Sequence, residues 1–477
     1  MKRNVFYLLI LSLAMLSCER MGNGDSEPVQ QEILTFTTVS AETRTVLSGT
    51  AVNWLATDQI KVFNNEGASA AFSTDAEHIS GSSATFSGTL AASSRYYALF
   101  PYDADATISA GKITTVVPYS VKAQTAGSFD STSNIAVATT TGSDLSFKNV
   151  LGYIKVDLTD ESDVTEVVIR SMDPTKYLSG KIEITIAAEP SVTVQDGIPF
   201  VKLVPDTGDA VIAAGVYYIP VIPSTLSSGV SVRVKKSGYL YLKESANSLA
   251  VSRNTPVALP KIAVAGYEDY KELVVTSGNT GFSSCYREYG SDFSATDENL
   301  PNLGDNNKAT KWLMPGTAIK AGNGGAAAYY PDGTATTRGP YLRLDFNNAS
   351  RNNSPLTKAE AVIFEYDAYG DSRYDPTVLR IQEYNSGHKS ADGDAYGILA
   401  TLTLDGDALP AQEPYKDCYV SGKIVRNFRT DRPFFGLMLC ATRTAACENL
   451  LTGFSSTYKW GMSNLRVWVH ENAALAY

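Results

Sequence analysis

Cys18 is the residue whose position most directly implies chemistry. It follows Met1-Lys2-Arg3, an apolar run from Val5 to Leu16 broken only by Ser12, and then Ser17. A short cationic segment, an apolar stretch and a small residue before a cut are the parts of an export signal, and the run is too short to span a bilayer. A cysteine at the cut supplies a thiol that takes diacylglycerol and a freed amine that takes a further chain. The expectation is a signal peptide over residues 1–17 and a lipid on Cys18. A polar, glycine-bearing tether over 18–32 would then hold a folded body at an outer membrane or cell surface.

The other four thiols are Cys285, Cys418, Cys440 and Cys447. Four cysteines allow three pairings, and closeness in sequence suggests only Cys440 with Cys447 as a disulfide. No Cys-x-x-Cys pair occurs. The three histidines, His78, His388 and His470, are far apart and lack zinc-type spacing. Neither a nucleophile elbow nor His-Glu-x-x-His is present. A glycosidase pair is defined by ~5 to 9 Å in space, so the 50 carboxylates cannot be sorted by spacing alone. These residues point to binding and not to an enzyme.

Sugar recognition uses aromatic faces together with a few charged or amide groups. Tyr286 and Arg287 lie close to Tyr289; Tyr330 follows Tyr329 just before Pro331-Asp332-Gly333; and Tyr369, Arg373 and Tyr374 share the stretch Ala368 to Pro376. All are candidate ligand contacts, although a chain with 27 tyrosines must bury many of them. The stretch Lys320 to Ala328 is glycine- and alanine-rich but is followed by no Lys-Ser/Thr, so it reads as a loop and not as a phosphate cradle.

The elements that position these residues are strands. Charged residues make up 19% of the chain, below the usual ~25%, while Tyr, Ser, Thr, Val and Gly recur, which favours strands and turns. At 477 residues there is room for about three domains. The net charge of −10 argues against nucleic acid or anionic lipid as a partner. Lys181 to Ile186 and Val192 to Val194 read as a hairpin around Glu189-Pro190, and Val230 to Val234 and Tyr239 to Leu242 as another. Their period-two alternation predicts one buried and one solvated face. A composition change near residue 268 marks a boundary.

Thr43-Arg44-Thr45-Val46-Leu47, Val52-Asn53-Trp54 and Asp58 to Phe63 resemble the opening of the fimbrillin-like surface lipoproteins. Ala84 to Leu90, Tyr96 to Tyr102, Leu145 to Asn149 and Gly215 to Val221 follow in the same order. The resemblance implies two tandem transthyretin-like β-sandwich domains, at 33–159 and 160–265, and a role in fimbriae or adhesion. It also implies that a protease cut after Arg44 could remove the first strand and open a groove for a strand of another fimbrial subunit, by β-strand addition. Because a further domain follows, a tip or anchor subunit, or a free-standing adhesin, fits better than a repeating pilin.

Residues 268–477 resemble, more loosely, the discoidin-like jelly rolls that include galactose-binding modules. Leu303 to Trp312 follows their ion-type loop, Tyr341 to Phe346 their central strand, and Gly461 to Val469 their closing strand. The resemblance implies calcium at Asp305, Asn307 and Thr310, since hard cations take six to eight oxygens in flexible geometry. Asn464 stands where the family often has a closing glutamate. The fold expectation is therefore all-β, two sandwiches followed by a jelly roll. The functional expectation is a surface adhesin or fimbria-associated subunit binding a glycan, host protein or matrix protein. The alternative is a lipoprotein that captures glycan for a polysaccharide importer.

Overall fold

A computed structural model describes residues 31–39, 54–80 and 83–273, and beyond them the strand segments 281–288, 291–293, 312–313, 341–345, 361–370, 374–385, 398–403, 405–406, 416–425, 435–443 and 460–470. Side chains in that last part are described for 361–367 and 463–470. The chain is all-β: the described residues form strands joined by turns and two short 3-10 turns.

The first body is a nine-stranded sheet in which the strand Gln31–Thr38 lies between Asp144–Leu145 and Ser83–Ala91. Alternation along its strands fills two cores. Ile60, Val62, Ala98 and Ala136 face an aromatic cluster of Phe36, Trp54, Phe72, Phe86 and Phe147. Their neighbours Phe63, Leu99 and Val137 face the other way, onto Ile113, Val117, Ile182 and Ile184. Trp54 anchors the first cluster, with its ring edge-on to Phe86, Phe100 and Phe147 at 5.0, 4.8 and 5.7 Å.

Strand pairing crosses both expected domain boundaries, the one after residue 159 and the one after residue 265. Lys112–Val117 pairs with Ser179–Thr185, and Ser120–Ala123 runs parallel to Phe200–Pro205. Gly152–Asp157 sends Ile154 and Val156 into the core of the second sandwich with Val167, Ile169, Val201, Ile219 and Val234. Beyond residue 265, Glu268–Leu273 pairs with Tyr239–Ser245 on one side and with Trp460–His470 on the other. It links the second sandwich and the C-terminal strands into a single eleven-stranded sheet. Alternation says which residues share a face but not which strand lies beside which, so these pairings leave little trace in the sequence.

Both expected hairpins form. Ser179–Thr185 pairs with Ser191–Ile198, and Val230–Lys236 pairs with Tyr239–Ser245 around Ser237-Gly238. Both turn residues have positive φ, 52° and 78°, as a two-residue type I′ turn requires. One expectation fails here. Val230–Lys236 does not have a solvated face, because Ser231, Arg233 and Lys235 are as buried as the valines between them.

The eleven-stranded sheet covers that face by curling. Four strand steps separate Val230–Lys236 from Ala361–Gly370, about 19 Å if the sheet were flat. Even so, the Lys235 Nζ lies 2.5 Å from the Glu365 Oε2. Leu240, Leu242, Tyr270, Ala361, Ile363 and Trp468 fill the concave side.

The tight turn that starts Val230–Lys236 gives a stability test. Gly229 has φ +85°, and a Cβ there would lie 1.8 Å from the Ser245 carbonyl oxygen, whereas Gly67 has φ +91° and open space around it. Gly67→Ala should cost about 1 kcal/mol from backbone strain alone, and Gly229→Ala at least about 3 kcal/mol because main chain must also move. Urea unfolding midpoints of the two variants measure the difference.

Candidate functional site

Two arrangements of described residues stand out: the position of the first strand, and a cluster of charges inside the curled sheet.

The first strand, Gln31–Thr38, is held mostly through its backbone. It runs antiparallel to Ser83–Ala91 from Gln31↔Ala91 to Thr37↔Thr85, and it meets Asp144–Leu145 in parallel at Thr37 and Thr38. The Thr37 and Val39 amides donate to the carbonyls of Ser143 and Leu145 at 2.9 and 3.1 Å. Side-chain anchorage is concentrated at one end. Gln31, Glu32, Ile33 and Thr35 are exposed, Ile33 by 81%, while Phe36 and Thr38 are buried. The Phe36 ring meets Phe72 at 5.5 Å and Tyr96 at 5.0 Å, and the Thr38 Oγ1 accepts the Ala84 amide at 2.8 Å. Burying Phe36 contributes about 2 to 3 kcal/mol. Withdrawing this strand would leave a slot with main-chain donors and acceptors on both walls and an aromatic floor, the geometry that β-strand addition uses.

Arg44 lies between this strand and Trp54, outside the described residues. A cut after it would divide Gln31–Thr38 from everything beginning at Trp54, which stays in the core.

The second arrangement was not legible as a site. The Lys235 ammonium lies 2.6 Å from Glu166 and 2.5 Å from Glu365, over the Trp468 ring at 4.8 Å. Lys202 approaches Glu166 at 3.7 Å and Arg233 approaches Glu365 at 3.5 Å. Arg466 donates twice to Glu272, at 2.8 and 2.9 Å, and lies over the Trp468 ring at 5.0 Å. Asn464, at φ +50° where the closing strand bulges, donates from its amide to Asp367 at 2.8 Å.

Burial alone would raise the Glu166 pKa, but Lys235 and then Lys202 outweigh it and hold the carboxyl down to about 2. Burial alone would lower Lys235, but Glu166 and Glu365 hold it above its usual range. Neither Glu166 nor Lys235 is poised to exchange protons near neutral pH, because each holds the other charged. Burial lowers the pKa of Lys202. On the same face, the Tyr270 hydroxyl donates to Glu268 at 2.9 Å, and burial with that carboxylate pushes its pKa up.

The remaining candidates are seen only in part. Cys18, Asp305, Asn307, Thr310, Tyr330, Arg373 and Cys447 lie outside the described residues. For Tyr286, Arg287, Tyr369, Tyr374 and Cys440 the backbone is described. Tyr286 and Arg287 pair with Phe293 and Asp292, and Tyr374 with Arg443. The register through Cys285↔Tyr341, Leu342↔Leu439 and Leu379↔Ala441 brings the strand ends carrying Tyr286, Arg287 and Tyr374 to one end of the six-stranded sheet. Tyr369 ends the strand that leads there. Cys440 is opposite Arg380. The segment after Thr310 pairs with the closing strand at Trp312↔Met462, two residues from Asn464.

No family model and no curated protein matches the chain. Among solved structures it is similar to a "putative cell adhesion protein" from Bacteroides ovatus, with 13% identity and a TM-score of 0.33 over 51% of this chain and 96% of that one. A second structure of that description, from Bacteroides thetaiotaomicron, gives 9% identity and a TM-score of 0.24 over 48% and 92%. The N-terminal CBM22 tandem domain of Xyn10C from Paenibacillus barcinonensis gives 11% identity and a TM-score of 0.21 over 93% and 100%.

Glu166 sets a pH prediction. Its folded pKa of about 2 lies below the ordinary 4.5, so its stabilisation is complete above pH 4.5 and is lost as pH falls toward 2. The loss should approach about 3 kcal/mol, and Glu166→Gln should flatten the stability profile across that window. Urea unfolding at pH 6, 4 and 3 measures both.

Proposed function

We propose that this chain is a lipid-anchored surface protein, acting as an adhesin or as the tip or anchor subunit of a fimbria. The first strand carries the reading: it is held by main-chain bonds and anchored at one end by Phe36 and Thr38. Such a strand is separable, and its slot suits a donated strand. Cys18 provides the membrane anchor and places the protein at the outer membrane or cell surface. Cleavage after Arg44 is the maturation step in this reading. It frees the slot, and it also releases the body from the lipid, so the cut form depends on its neighbours in the fimbria for attachment.

The C-terminal part is the ligand-binding element. Tyr286, Arg287, Tyr330, Tyr369, Arg373 and Tyr374 contact a glycan or a host or matrix protein, and Asp305, Asn307 and Thr310 hold calcium. The strand ends that share one end of the six-stranded sheet support this assignment. They equally suit the second reading, in which a surface lipoprotein captures glycan for a polysaccharide importer.

Two measurements separate the readings. An arginine-specific protease acting on the purified chain should cut after Arg44, and the cut chain should then take up a synthetic strand peptide that carries an aromatic at the Phe36 position, while Arg44→Ala takes up none. A cut chain that binds no added strand would sink the strand-exchange role. On glycan and matrix-protein arrays, the intact chain should bind, and Tyr369→Ala/Tyr374→Ala should weaken binding at least about tenfold. Glycan binding by an uncut, monomeric chain would favour capture for import, and silence on both surfaces would remove the ligand-binding role.

A further inference from the structure

Charges of opposite sign meet inside the curled sheet from different parts of the chain. The buried cations Arg170, Lys202, Arg233 and Lys235 come from the second sandwich, and the buried carboxylates Glu365 and Asp367 come from beyond the linking strand. Glu365 takes Lys235 at 2.5 Å and Arg233 at 3.5 Å, while Glu166 of the second sandwich takes Lys235 at 2.6 Å and Lys202 at 3.7 Å. The apolar contacts divide in the same way. Leu240 and Leu242 lie on one side, and Tyr270, Ala361, Ile363 and Trp468 on the other.

We propose that the C-terminal strands are keyed to the second sandwich by this division of charge, so that the two fold and open as one cooperative body and not as hinged modules. The linking strand Glu268–Leu273 supplies the continuity, because it has a hydrogen-bonded partner in each half. Separating the halves would expose Lys235, Arg233 and Glu365, each now under a tenth exposed, beside a bare apolar patch. Breaking one member of a buried pair leaves its partner charged and unpaired, which costs far more than replacing both. This coupling is independent of the ligand and of strand exchange.

The test places a change in one half and reads the other, using the intact chain. In Glu365→Gln, amide exchange within Val164–Ser171 and Val230–Lys236 should quicken at least about tenfold, although the altered residue is five and four strands away from them in sheet order. Lys235→Met/Glu365→Met should restore part of the protection, since both members of the closest pair are then absent and Glu166 keeps Lys202 at 3.7 Å. Quickening confined to the strands beside Glu365 would overturn the proposal. Should Glu365→Gln not fold, native-state exchange of the unaltered chain in rising denaturant decides. Val230–Lys236 and the described segment 361–367 should open at one denaturant concentration, and clearly separate openings would overturn the coupling.

Discussion

The Lys235 ammonium between Glu166 and Glu365 sets the constraint on which the rest of the molecule depends. Placing a cation and two carboxylates out of water is unfavourable unless each finds its counter-charge at close range. Here the counter-charges arrive from strands that lie far apart in the sheet order, so the sheet has to curl to bring them together. Curling turns what would be a solvated face into an interior, and that interior admits Trp468, Tyr270 and the leucines of Tyr239–Ser245. The ionic cluster and the apolar patch are therefore two parts of one closure.

The opposite end of the chain follows a different logic. Phe36 and Thr38 hold the first strand at one end, while Gln31, Glu32, Ile33 and Thr35 stand in solvent and contribute main-chain bonds. Its exposed residues carry no demanding side-chain fit, so a foreign strand with an aromatic at the Phe36 position could use the same ladder. One fold thus combines a loosely anchored strand at its start with a tightly keyed set of strands at its end.

Much of this was legible in the sequence, and the limits have physical causes. The all-β class and the hairpins around Glu189-Pro190 and Ser237-Gly238 follow from alternation and turn residues, which are local properties. The partnership of Lys112–Val117 with Ser179–Thr185 is a contact between distant segments, and nothing in either segment names the other. The ionic cluster was hidden more thoroughly. In Val-Ser-Val-Arg-Val-Lys, arginine and lysine at alternate positions read as the water-facing side of a strand, and only a covering sheet with Glu365 in it reverses that reading. Asn464, placed by resemblance beside an ion loop, bonds Asp367 at a bulge, a contact that neither residue's neighbours in sequence announce.

The position of the closing strand Trp460–His470 has a consequence for biogenesis. Arg466 and Trp468 follow Lys235 by more than 200 residues in the chain. At about 5 to 20 residues per second, ribosomes complete them roughly ten to fifty seconds after Lys235 has been made. Throughout that interval the second sandwich has a half-finished, cationic and apolar flank, the kind of surface that invites wrong partners. Holding the chain unfolded until the closing strand has been made removes the interval altogether.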